Sequence, residues 1–251
     1  MHIRTSLFLP VLAALGLGAA AQAADLTVSA ASSLTNAFKE LGQAYEARHP
    51  GSKVALNFAA SDVLLRQIEQ GAPADVFASA DQRAMDRAVQ SRSVRPGTRV
   101  DFAANALVLI VPAAGGAAVN SLADLKGENI KRVAYGNPAS VPVGRYTQAA
   151  LERQGLWAAV SAKGVPAQNV RQSLDYVARG EVDAGFVFAT DAAVMPGKVK
   201  VVETVPTPQP ITYPIALTMR EANQAAAQAF IDYARSDEGQ AILARHGFKK
   251  P

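Results

Sequence analysis

The sequence predicts an α/β protein of two lobes, each a mostly parallel sheet flanked by helices, with a ligand cleft between them. Three observations carry this. Short apolar runs of strand period alternate with longer runs of helical period, joined by short connections. A second block of the same style begins at Ala106. Pro206, Pro208, Pro210 and Pro214 then mark a long irregular crossing, through which a chain that has built a second lobe can return to the first. Ligands of open α/β sheets sit at the carboxyl ends of strands, and between two lobes that position is a cleft.

The elements follow in order. Leu26 to Ala30 alternates as a strand, and Ser32-Ser33 open a helix with Leu34, Phe38, Leu41 and Tyr45 on one face. His49-Pro50-Gly51 ends it, and Val54, Leu56 and Phe58 form a second strand. Ser61 opens the next helix, which stops at Gly71. Asp75 to Ser79 is a short strand, and Asp81 caps a helix through Val89. In the second block, Ala106 to Val111 is an apolar strand, Ser121 to Leu125 a short helix and Arg132 to Tyr135 a strand. Gly144 to Gln154 reads as a helix, and Asn169 caps another that carries Val170, Leu174 and Val177. Gly185 to Phe188 and Lys198 to Val205 are strands. After the prolines come a last strand, Ile215 to Thr218, and two closing helices, Asn223 to Ser236 and Glu238 to His246.

The first 23 residues have a different character. His2 and Arg4 precede an apolar stretch from Leu7 to Ala20, and Ala21-Gln22-Ala23 supplies small residues for cleavage. This is the pattern of a secretory signal peptide, too short for a comfortable membrane span. With no lipobox cysteine, it predicts a soluble periplasmic product. The expected division is residues 1–23 as signal, 24–103 plus 212–251 as lobe one, and 104–211 as lobe two. Hinges are expected near Ala103–Asn105 and Ile211–Pro214.

Composition excludes much chemistry. The chain of 251 residues is 18% charged and 49% hydrophobic, as globular proteins are. It has no cysteine, so disulfides, thiolate nucleophiles and Cys-ligated metals are ruled out. A net charge of +4 without a basic run argues against nucleic-acid binding. Beyond the leader the histidines are His49 and His246, with no zinc-binding spacing. Ser33 and Ser61 lie in no GxSxG turn and have no evident base. No Walker or dinucleotide fingerprint occurs. What remains is a set of helix starts at Ser33, Ser61, Val143-Gly144 and Asn169-Val170. Helix starts present unpaired N–H groups and partial positive charge, and several converging on a cleft would bind an anion.

Several segments, in order, carry a family resemblance: Ala31-Ser32-Ser33-Leu34-Thr35-Asn36-Ala37, Phe58-Ala59-Ala60-Ser61 and Gly71-Ala72-Pro73-Ala74-Asp75, then Gly136-Asn137-Pro138-Ala139-Ser140-Val141-Pro142-Val143-Gly144, Val187-Phe188-Ala189-Thr190-Asp191-Ala192 and Tyr213-Pro214-Ile215-Ala216. Together they resemble the periplasmic molybdate-binding proteins of bacterial ABC importers, over essentially the whole chain after the leader. The resemblance implies a type II periplasmic binding protein fold and no catalytic residues. It implies molybdate or tungstate held by the hydroxyls of Ser33 and Ser61 and the backbone N–H groups of Val143 and Val170. Members often place a tyrosine where Phe188 stands. It also implies a monomer that delivers its ligand to membrane permease subunits, with no further cofactor. Two other readings stay open: a receptor for another oxyanion such as sulfate, and a secreted serine hydrolase using Ser33 or Ser61.

Overall fold

The computed structural model describes residues 25–115 and 118–251, so the leader reading of residues 1–23 lies outside the described residues. Two five-stranded sheets are each built from a run of strands and helices. The first run is β1 (Asp25–Ala31), a 3-10 turn (Ser32–Leu34), α1 (Thr35–Arg48), β2 (Lys53–Ala59), α2 (Ser61–Glu69), β3 (Val76–Ala78), α3 (Gln82–Gln90) and β4 (Val100–Asn105). The chain then crosses at Ala106 into β5 (Leu107–Pro112), β6 (Val133–Gly136), α4 (Pro142–Arg153), α5 (Trp157–Ser161), β7 (Gly164–Ala167), α6 (Val170–Ala178), β8 (Ala184–Phe188), α7 (Ala189–Ala192) and β9 (Val199–Val205). It returns through β10 (Ile211–Leu217) and ends in α8 (Gln224–Arg235) and α9 (Asp237–Arg245).

The strand order is β2-β1-β3-β10-β4 in the first sheet and β7-β6-β8-β5-β9 in the second. β2, β1 and β3 are parallel, and β10 opposes both of its neighbours. The second sheet repeats this, with β7, β6 and β8 parallel and β5 opposed to β8 and β9. The expectation of mostly parallel sheets therefore holds for strand direction but not for pairing, because each sheet contains one opposed strand. Both opposed strands lie next to the crossings. β4 and β5 run from one sheet into the other, and β9 and β10 run back beside them.

Burial explains the strand compositions. β5 and β8 are almost wholly apolar because helices cover both faces of the sheet centre. β2, an edge strand, alternates. α8 and α9 pack back on α1, where Phe230 meets Phe38 and Tyr45 at ring-centroid distances of 6.1 and 5.4 Å.

Several elements depart from expectation. β4 and β7 carry no strand signal of their own: β4 reads Val-Asp-Phe-Ala-Ala-Asn, and β7 contains Gly164 and Pro166. An edge strand such as β7 tolerates proline, which cannot donate to a ladder. β10 starts at Ile211, within the proline-rich crossing, and Pro214 sits where its register with β4 slips. α4 begins at Pro142, two residues before Gly144, because proline's fixed φ and missing N–H suit the first helical position.

Candidate functional site

Four helix starts and the end of β8 meet at one cavity between the sheets. Its lining includes Ser33, Ser61, Val143, Val170 and Phe188, so the fold brings all five sequence-predicted residues together. The rest of the lining is Ala31, Ser32, Ala60, Ala80, Val141 and Pro142, with no charged side chain. The cavity is small.

Each donor is placed by a local reason. Ser33 lies in the 3-10 turn after β1, and Ser61 is the first residue of α2 after β2. Neither hydroxyl caps a helix: Ala31, Leu34 and Ala60 hold the cap positions without a side-chain bond. Ser61 Oγ instead accepts the Ala80 N–H at 3.0 Å, which leaves its own hydrogen free to donate. Val143 and Val170 stand in the first turns of α4 and α6, where a helix gives N–H groups no internal acceptor. Asn169 caps α6 through the N–H of Gln172 and fixes that start. The start of α4 is set by a close approach, since a Cβ added to Gly144 would lie 1.8 Å from the Gly136 carbonyl oxygen.

Two residues with no binding role assigned from sequence complete the arrangement. Ser33 Oγ lies 3.0 Å from the Tyr213 hydroxyl, and Asn105 Nδ2 donates to that hydroxyl at 3.2 Å. Asn105 is itself fixed, because Nδ2 also donates to Thr190 Oγ1 at 2.9 Å and Oδ1 accepts the Ala106 N–H. With Asn105 donating to the phenol, a phenol that donates onward to Ser33 leaves the serine hydrogen for the cavity. Burial, and then the nearby charge of Asp191, hold the Tyr213 phenol well above its usual range, so it keeps its proton. Phe188 supplies a ring wall, set against Tyr213 at 5.8 Å. Tyr213 belongs to a quoted segment, but only the folded packing shows its hydroxyl aimed at a serine 180 residues away in sequence.

Charge lies one layer behind the cavity. Asp62 follows Ser61 and is 1% exposed; it accepts from Arg87 at 2.6 Å and from Arg145 of α4 at 2.6 Å. Asp81 caps α3 through Ala84 and also accepts from Arg145, at 2.7 Å. Burial pushes the Asp81 carboxyl up, against the pull of Arg145. Arg171, next to Val170, donates to Asp191 at 2.6 Å, and burial pushes the Asp191 carboxyl up to about 6. Arg171 also reaches Asn36 at 2.8 Å and the Ser33 carbonyl at 3.4 Å.

The histidines lie elsewhere. His49 stacks on Tyr45, and His246 pairs with Glu40, so neither faces Ser33 or Ser61. Among the described residues, no group of three or more His, Asp or Glu side chains could hold a metal ion.

Comparison with known proteins places this geometry. Residues 26–249 match the model of the bacterial extracellular solute-binding proteins. The molybdate-binding protein ModA of Escherichia coli (strain K12) is 38% identical over 239 residues, covering 92% of this chain and 91% of that protein. The solved structure of the Azotobacter vinelandii periplasmic molybdate-binding protein superposes with a TM-score of 0.78 at 26% identity, over 90% of this chain and 99% of that one. The sulfate-binding protein SubI of Mycobacterium tuberculosis superposes with a TM-score of 0.79 at 19% identity, over 90% of this chain and 87% of that one, a likeness of fold alone.

Proposed function

Because this chain belongs to the bacterial extracellular solute-binding proteins, we propose that it is a periplasmic receptor for molybdate, with tungstate as an equivalent ligand. It passes the anion to the membrane permease of an ABC importer. In this reading residues 1–23 direct export and are removed, and the mature receptor is a monomer without catalytic activity. The named ligand of the Escherichia coli and Azotobacter vinelandii relatives supports the choice of anion.

The observation that carries the reading is the lining of the cavity: hydroxyl and amide donors, apolar walls and no charge. Molybdate at neutral pH is a fully deprotonated tetrahedral dianion, so it offers only acceptors. Ser33, Ser61 and the N–H groups of Val143 and Val170 meet it with donors alone. Each such bond to a buried anion contributes about 1.5–3 kcal/mol. Phosphate keeps a proton at this pH and needs an acceptor for its O–H; serine hydroxyls committed as donors to the anion leave that group poorly paired, which disfavours it. Sulfate is acceptor-only too, so its refusal has to come from the size of the cavity. Closure about Ala103–Asn105 and Ile211–Pro214 brings the second-lobe amides onto an anion already held by the serines.

No observation favours the serine hydrolase reading, since neither serine has an imidazole partner. The test is calorimetry on the mature chain. Ser33→Ala combined with Ser61→Ala should weaken molybdate binding by at least about 100-fold, at two charge-assisted bonds of about 1.5 kcal/mol each, with an unchanged circular dichroism spectrum. Unaltered affinity would remove both serines from the site.

A further inference from the structure

Each second-lobe donor is followed by an arginine: Arg145 lies two residues after Val143, and Arg171 follows Val170. Neither side chain lines the anion cavity. Both reach across the cleft to the other lobe. They differ in what they leave behind. Arg171 keeps its carboxylate, Asp191, within its own lobe and takes only neutral oxygens from the other, those of Asn36 and Ser33. Arg145 finds both of its carboxylates, Asp62 and Asp81, on the far side.

The charge balance follows. Asp62 and Asp81 are buried beside Ser61, and Arg87 supplies one cation to them. With Arg145 in place the cluster is neutral. With Arg145 withdrawn it carries one net negative charge beside a site meant for a dianion. Parting the lobes therefore breaks both Arg145 ion pairs and leaves the cluster one cation short. We propose that Arg145 is a positioning residue that latches the two lobes together. Through Asp62 and Asp81 it sets how long the anion is retained without touching it. The proposal rests on the oxyanion-receptor reading. A forked guanidinium suits the task, since it bridges two carboxylates at once where an ammonium offers one compact charge.

The chain has no cysteine, so Gln90→Cys on α3 and Arg153→Cys on α4, both exposed, give a clean pair of label sites on opposite lobes. Fluorescence transfer between them reports the separation of the lobes, and mixing the loaded protein with excess unlabelled receptor gives the release rate. Wild type, Arg145→Gln and Arg145→Lys are compared with molybdate at physiological salt. Molybdate should shorten the separation in all three. Release should be about tenfold or more faster in Arg145→Gln and intermediate in Arg145→Lys, as expected for loss of a buried pair. Association should stay within about twofold, because such changes fall mainly on dissociation. Asp81→Asn is the second variant should Arg145→Gln not fold; asparagine preserves the α3 cap, and release should again accelerate. Release rates equal to wild type in the folded variants would overturn the latch while leaving the receptor reading intact. A wild-type protein that neither binds molybdate nor changes separation would overturn the reading and the latch with it.

Discussion

Tyr213 decides whether Ser33 is a useful donor. Its phenol stands between the Asn105 amide and the Ser33 hydroxyl, and Asn105 and Tyr213 lie where the chain passes between sheets. Tyr213→Phe keeps the ring contacts with Phe188, Phe102 and Phe248 and removes only the oxygen. Asn105 then loses an acceptor, and Ser33 is free to turn its hydrogen elsewhere. Loss of one buried hydrogen bond costs about 1 kcal/mol, or about fivefold in binding. Calorimetry should show molybdate affinity falling by roughly 5–30-fold, with only a small drop in melting temperature. An unchanged affinity would show that Ser33 orients itself without the relay. Sequence alone could flag Ser33, because it sits at a strand-to-helix turn. It could not flag Asn105 or Arg145, because their partners are far along the chain: Arg145 meets Asp81 across 64 residues.

Among the elements, the anion site depends on where α4 starts. Pro142 sets the first helical position, and the backbone of β6 presses against Gly144. Gly144→Ala would place a Cβ within 1.8 Å of the Gly136 carbonyl, a backbone atom that cannot swing aside. The start of α4 must move and carry the Val143 amide with it. The expected result is a loss of about 1–3 kcal/mol in unfolding free energy, the usual cost of overpacking, together with weakened molybdate binding measured on the same sample. A destabilised protein with full affinity would show that the Val143 amide is not a ligand. Most element starts were legible because serine, asparagine, aspartate and glycine punctuate them. β4, β7 and the first half of β10 were not. Their residues carry no period, and Pro166 and Pro214 argue against strands; only pairing with neighbours makes them so.

Across the whole molecule, two sheets of the same order are joined by paired crossings, and the side chains lining the cavity carry hydroxyls but no charge. The carboxylates nearest the cavity are turned away onto arginines, so the site is neutral and receives its only net charge from the ligand. The alternation of strand and helix made the α/β class legible, and the proline-rich return suggested two lobes. The cavity's neutrality was not legible, because it depends on which aspartate faces which arginine. Thermal unfolding of the mature protein with molybdate, tungstate, sulfate or phosphate tests the central claim most directly. A ligand at 100 times its dissociation constant stabilises by about 2.7 kcal/mol, and each kcal/mol moves the midpoint of a chain this size by roughly 2–4 °C. The account predicts a rise of about 5–10 °C with molybdate and tungstate and none with sulfate or phosphate. An equal rise with phosphate, or no rise with any of the four, would contradict it.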